Sequence, residues 1–312
     1  MSVNGTRRAF LGTAAAGLAA VGLASTAGTA HAAESGRGHG GHHGHGHGHG
    51  HGHGHGHGRR KRKIPRSGIG MHLYTMRSIL ETDFEGTLEQ LADIGYATVG
   101  VSGRFGRNAT QIRQVLDDVG LKAVLEHVGY GIVSGTGLQQ AIADVHTLGG
   151  EWVVVPSLPT EMHTPAGYRE AAAAMNRAGR VAVESGLGPV LFHNHDADHR
   201  VVEGEVLYDI LLNETDPEYV GFELDVYWGA KGGADPRQLF VDEGPRFPAL
   251  HVKDMAPNGD FADVGSGVLD FAEMFETAHR GGVRQWLVEH DSPKDPIATA
   301  RNSYRYLSRL RY

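Results

Sequence analysis

The chain reads as an α/β protein, a (β/α)8 barrel, on three observations. From Ile64 onward, short β-rich runs alternate eight times with longer segments of helical spacing. The stretch 64–312, about 249 residues, is the usual size of such a barrel. The rival open doubly wound sheet would need a glycine fingerprint after its first strand, and the residues after Leu73 are Tyr74-Thr75-Met76-Arg77.

The expected strands are 68–73, 98–102, 122–128, 152–156, 189–193, 220–225, 249–252 and 285–289. Between them, Thr87-Leu88-Leu91-Ile94, Ile112-Val115-Leu116-Val119 and Leu138-Ile142-Val145-Leu148 place apolar residues at three- and four-residue intervals, which makes one face of a helix apolar. Gly95, Gly120, Gly149, Gly186 and Gly281 follow helical segments, where a left-handed stop calls for glycine.

The N-terminal part has a different character. Residues 1–32 read as an export signal: Thr6-Arg7-Arg8-Ala9-Phe10-Leu11-Gly12, a weakly apolar Ala/Gly/Leu run to about Ala27, then Ala30-His31-Ala32 before the cut. Adjacent arginines ahead of Phe-Leu resemble a twin-arginine signal. The expected destination is outside the cytoplasm, reached through the twin-arginine export machinery, without a stable membrane anchor, because a spanning helix needs about 20 strongly apolar residues. Residues 33–63 form a His/Gly-rich and basic linker, with ten histidines between His39 and His57 and Arg59-Arg60-Lys61-Arg62-Lys63 after them. That composition buries nothing, so disorder is expected; its imidazoles suit metal gathering, and the plainer reading is a solvated spacer.

Charge and cysteine content narrow the function. Residues 64–312 hold 21 basic and 35 acidic side chains, a net of −14, and an acidic surface repels phosphate backbones, so nucleic acid is not an expected partner. No cysteine is present, which excludes disulfides, thiolate zinc sites and thiol nucleophiles.

In a parallel barrel the chemistry gathers at the carboxyl ends of the strands. Those ends read His72 and Arg77, Glu126-His127, His193-Asn194-His195, Glu223-Leu224-Asp225, His251-Val252-Lys253-Asp254 and Glu289-His290-Asp291. A lone strand-end histidine is ordinarily a hydrogen-bonded structural residue. Four consecutive strands ending in His, Asp, His and Glu are a different matter, because buried charges are expensive unless paired or bound to metal. His193, Asp225, His251 and Glu289 are therefore the candidate ligands of one divalent ion. The mixed N/O set suits Mn²⁺, Co²⁺, Zn²⁺ or Fe²⁺, and Mg²⁺ less. Residues two apart share a strand face, so His195 competes with His193 for the ligand role, and Glu223 is a candidate group behind Asp225. Lys253 is expected to touch substrate or to form a salt bridge with Asp254 or another neighbour.

These runs, together with Gly233-Ala234-Asp235-Pro236, Val264-Gly265-Ser266-Gly267-Val268-Leu269-Asp270-Phe271 and the opening Gly70-Met71-His72-Leu73-Tyr74-Thr75-Met76-Arg77, resemble the sugar phosphate isomerase/epimerase family of xylose isomerase-like barrels from about Ile69 to the C-terminus. The resemblance implies a divalent-metal site at the barrel mouth acting on a sugar, cyclitol or related polyhydroxy carbonyl compound. Better-known epimerases of that group carry glutamates on both strand 5 and strand 8, and here strand 5 offers His193.

The expected activity is that of a metal-dependent isomerase or epimerase, or a related lyase, working through an enediolate. Glu289 is assigned as ligand and candidate base, His195 as acid/base partner, Lys253 and His127 as substrate contacts, and Trp228 with Tyr227 either as an apolar face for a sugar ring or as packing beneath the next helix. The alternatives are a secreted metal- or carbohydrate-binding barrel without catalysis, and a hydrolase of abasic DNA.

Overall fold

Eight parallel strands close on themselves in a computed structural model that describes residues 61–312. The signal expected over 1–32, and the linker over 33–63 apart from its last three residues, lie outside the described range. The strands are β1 (Ile69–His72), β2 (Thr98–Val101), β3 (Lys122–His127), β4 (Trp152–Val155), β5 (Val190–His193), β6 (Val220–Asp225), β7 (Ala249–Val252) and β8 (Gln285–Val288). Each pairs in parallel with its sequence neighbours, and β1 pairs with β8 to complete the barrel. This is the expected fold.

The helices start and stop where local chemistry dictates. In α1 (Phe84–Ile94), the Asp83 side chain accepts from the Gly86 amide and Gly95 ends the helix at φ 115°. In α2 (Ala109–Val119), Asn108 and Gln111 form a reciprocal capping box and Gly120 ends the helix at φ 77°. Gly149 closes α3 (Leu138–Leu148) at φ 76°. Thr164 caps the 20-residue α4 (Pro165–Glu184), and Gly186 follows it at φ 88°. No helix ends at the stop expected at Gly281: the preceding helix, Phe271–Phe275, ends earlier, at Glu276, and the left-handed residue nearby is Gly282, at φ 77°. Gly281 is small for another reason, since a Cβ there would meet the Phe240 ring at 2.5 Å.

Most strands are a residue or two shorter than expected, and most of the trimming falls after the last paired residue, as at Ser102, Pro156 and Glu289. The chain turns outward there and the side chains line the mouth. Two short hairpins, Val201–Val202 with Glu205–Val206 and Asp254–Met255 with Phe261–Ala262, decorate the loops after β5 and β7.

Strand alternation sorts the barrel interior into layers. Leu125, Trp152, Val154, Leu191, Ala249 and Leu287 form an apolar plug inside the barrel. Further along the same inward faces come His127, His193, His251 and Glu289. Register then sets lateral neighbours: His193 lies beside Glu223, Asp225 beside His251, and His251 beside Leu287, two residues before Glu289. A polar layer thus rests on an apolar floor.

Candidate metal centre and its pocket

Because β5 to β8 run side by side, their ends deliver His193, Asp225, His251 and Glu289 to one place. Each offers a ligand atom, and these atoms all lie within 4.8 Å of one another. His193 Nε2 is 3.5 Å and His251 Nδ1 3.8 Å from Asp225 Oδ2, and His251 Nδ1 is 3.0 Å from Glu289 Oε2. All four are buried.

The donor atoms have the character a cation needs. Among the described residues, buried His193 Nε2, Asp225 Oδ2 and His251 Nδ1 have no hydrogen-bond partner, and such atoms are costly unless a further group satisfies them. Burial opposes ionisation of the carboxylates, yet positive neighbours overrule it: Lys253 holds Asp225, and His251 and Lys253 hold Glu289, well below the usual carboxylate range. Burial pushes His193 down to about 4, which keeps its imidazole neutral and able to coordinate. For His251 burial also works against charge, but Glu223 and Glu289 beside it raise it well above the ordinary value. Once His251 gives up its proton to coordinate, the buried carboxylates of Glu223, Asp225 and Glu289 face the buried ammonium of Lys253, a deficit of two charges that a divalent ion would fill. The residues present therefore fit such an ion.

Lys253 is drawn into this cluster. Its Nζ lies 3.0 Å from Asp225 Oδ2, 2.7 Å from Glu289 Oε2 and 2.8 Å from Asp291 Oδ1. It does not pair with Asp254, whose carboxylate accepts from the amides of Met255, Gly265, Gly267 and Leu269 and so ties down the following loop. Tyr227, Trp228 and Phe261 surround the ammonium at 5.3–5.9 Å from ring centre to Nζ.

A pocket of about 500 Å³ opens above the cluster, lined among others by Tyr74, Arg77, His127, His195, Lys253 and Glu289. His193 and His195, which spacing alone leaves equivalent, are separated here. His193 joins the four-residue group, while His195 stands beside it toward the pocket, ring centres 4.8 Å apart. Trp228 and Tyr227 are not in this lining; Trp228 packs on His195, Tyr227 and Phe261 behind it. His127 lines the pocket and its Nε2 donates to Glu223 Oε2 at 2.7 Å. Glu223 thus faces His127 and His251, and no contact places it behind Asp225.

Sequence reading missed His72 as a partner of Glu289: its Nδ1 donates to Glu289 Oε1 at 2.8 Å. Burial drives His72 down to about 3, so it serves as a neutral donor. The signal was a histidine at the end of β1, but the closure of β1 on β8 lies 217 residues away in sequence. Asn194 was likewise passed over. Its side chain accepts from the Asp225 amide at 2.9 Å and donates to the Asp225 carbonyl at 3.2 Å, extending the β5–β6 ladder past its last backbone pair.

A family model described as a xylose isomerase-like TIM barrel matches residues 88–310. An inosose dehydratase of Geobacillus kaustophilus (strain HTA426) is 21% identical, over 78% of this chain and 89% of the relative. A rhizopine catabolism protein, MocC, of Rhizobium meliloti is 26% identical, over 74% of this chain and 82% of the relative. Among solved structures, a sugar phosphate isomerase/epimerase from Parabacteroides distasonis ATCC 8503 matches in fold with a TM-score of 0.69 and 24% identity, over 77% of this chain and 93% of that one.

Proposed function

This chain belongs to the xylose isomerase-like TIM barrel family, and from that premise we propose that it is a divalent-metal-dependent enzyme acting on a sugar, cyclitol or related polyhydroxy carbonyl compound. The reaction begins with removal of the proton beside the carbonyl, and its class is isomerisation, epimerisation or elimination. The observation that carries this reading is the meeting of His193, Asp225, His251 and Glu289 within 4.8 Å beneath a polar pocket.

His193, Asp225, His251 and Glu289 would hold the ion. A bound divalent ion would polarise the carbonyl and a neighbouring hydroxyl and so acidify the C–H of the carbon that bears that hydroxyl. The chain's own groups do the rest. His195, at the pocket wall beside the ligand set, is placed to accept and return the proton. Glu289 is a poor base in this setting, because His72, His251 and Lys253 all stabilise its charged form. Lys253, neutralised by three carboxylates, can turn its ammonium toward a developing negative oxygen.

Of the imidazoles in the pocket lining, His127 is tied to Glu223, His72 to Glu289 and His193 belongs to the ligand set, while the Asp291 carboxylate pairs with Lys253; His195 is left to move the proton, which favours elimination over two-base epimerisation. The inosose dehydratase relatives support the same outcome. In that outcome the proton leaves the carbon beside the carbonyl, a hydroxyl leaves the next carbon as water, and a C=C bond forms between them.

The test is metal analysis of the wild type, Asp225→Asn and His251→Ala, followed by proton-exchange NMR in D₂O on keto-sugars and inososes. Ion content should fall in both variants, and exchange of a single carbon-bound hydrogen should require the ion. Equal ion content in all three proteins would end the assignment.

We also propose that residues 1–32 send the domain out of the cytoplasm by the twin-arginine route. Replacing Arg7 and Arg8 with Lys should leave the protein inside cells with residues 1–32 still attached, as N-terminal sequencing would show.

A further inference from the structure

Glu223 is fully buried, its carboxylate is not among the four that meet at the ion position, and an unused buried carboxylate is expensive. Its two oxygens face two imidazoles. Oε2 accepts from His127 Nε2 at 2.7 Å, and Oε1 lies 3.0 Å from His251 Nε2, close enough to pair though not aligned as a hydrogen bond; among the described residues neither atom has another partner. On the opposite edge of the same ring, His251 Nδ1 looks toward Glu289 Oε2 and Asp225 Oδ2. An imidazole can coordinate through Nδ1 only if its proton sits on Nε2, and the group facing Nε2 is a carboxylate oxygen.

We infer that Glu223 is a positioning residue that sets the ring orientation and tautomer of His251 for metal coordination while fixing the His127 imidazole in the wall of the substrate pocket. The inference rests on the metal-dependent reading above and adds to it a residue that binds neither ion nor substrate. Carboxylates behind ligating histidines orient the ring and raise its basicity, and their loss commonly weakens metal binding 10–100-fold. A carboxylate shared with a pocket histidine also gives the ion and the substrate wall one common support.

The test uses the full chain as wild type, Glu223→Gln, Glu223→Asp, His127→Asn and Asp225→Asn, each stripped and titrated calorimetrically with Co²⁺. All five carry the same His-Gly tract, so the barrel site is the binding present in wild type and missing from Asp225→Asn. Glu223→Gln should weaken that increment about 10–100-fold, while His127→Asn, which leaves Glu223 facing His251, should stay within about 3-fold. The ¹⁵N shifts of the His251 ring, assigned by loss in His251→Ala, should show the Nε2-protonated tautomer in Co²⁺-free wild type at alkaline pH and a mixture in Glu223→Gln. Circular dichroism checks folding. If Glu223→Gln does not fold, Glu223→Asp, which keeps the charge but shortens its reach, should show a smaller loss in the same direction. A folded Glu223→Gln that binds Co²⁺ as tightly as wild type overturns the inference, as does unweakened binding by Glu223→Asp where the Gln variant is unfolded. Equal Co²⁺ uptake by wild type and Asp225→Asn would instead overturn the metal-site reading itself.

Discussion

Asn194 stands between two ligands in sequence and space, and its amide does what a strand backbone would do if the ladder continued. It satisfies both the N–H and the C=O of Asp225, and its Nδ2 also lies 3.1 Å from His199 Nε2. Removing it strands two buried backbone groups, each worth about 1–3 kcal/mol when left unpaired. Asn194→Ala is expected to lower stability by about 2–4 kcal/mol in urea denaturation and to weaken ion retention, because the Asp225 carboxylate is aimed by that backbone. A loss below about 0.5 kcal/mol would show that water replaces the amide at no cost. The residue scale is also where sequence reading stopped short. Spacing could not separate His193 from His195, because residues two apart share a face. The role of Glu223 was hidden for a different reason: its partners His127 and His251 come from strands that lie on either side of it around the barrel. The 96 residues separating Glu223 from His127 carry no local pattern of that contact.

Strands and helices were far more legible than contacts, because their signals are periodic and local. All eight strands occur where apolar runs sit between helical segments, and four of the five expected glycine stops carry positive φ. The miss at Gly281 shows the limit of that logic: the helix before it ends at Phe275, and a glycine in the turns beyond can be small for packing while its neighbour takes the left-handed turn. Glycine also shapes the centre from inside a strand. In β2, a Cβ on Gly100 would come within 2.7 Å of His72 Cδ2 and 3.0 Å of Leu287 Cδ1, so the missing side chain is the space the His72 ring fills. Gly100→Ala is expected to cost about 1–3 kcal/mol through overpacking. It should also displace His72 from Glu289, lowering turnover more than a change of equal stability on an outer helix would. Unchanged melting and unchanged turnover together would show that His72 has room to retreat.

At the scale of the whole molecule, the barrel keeps several imidazoles neutral in a domain that otherwise carries excess negative charge. Burial drives His72 down to about 3 and His193 and His199 down to about 4, all from an ordinary value of 6.5. Above pH 6.5 these rings are neutral both folded and unfolded, so they cost nothing. As pH falls from 6.5 toward 4 the unfolded chain takes up protons that the folded chain refuses, and stability is lost across that window. His251 acts in the opposite sense: Glu223 and Glu289 hold its folded form protonated above 6.5, so its contribution fades as pH rises beyond that value. The protein without bound ion should therefore be most stable near pH 6.5, with a decline on each side, and an ion at His251 should flatten the alkaline side by replacing the proton. His199 isolates the acid side, because it is not one of the four candidate ligands and its shift comes first from burial. His199→Gln keeps an acceptor for Asn194 and removes one titrating ring. Between pH 6.5 and 4 its stability should fall less steeply than that of the wild type, by about 1–3 kcal/mol across the window. The measurement is urea denaturation at half-unit pH steps on metal-stripped protein. Parallel acid limbs for wild type and variant would mean that carboxylates alone set the decline and that the buried rings contribute nothing to it.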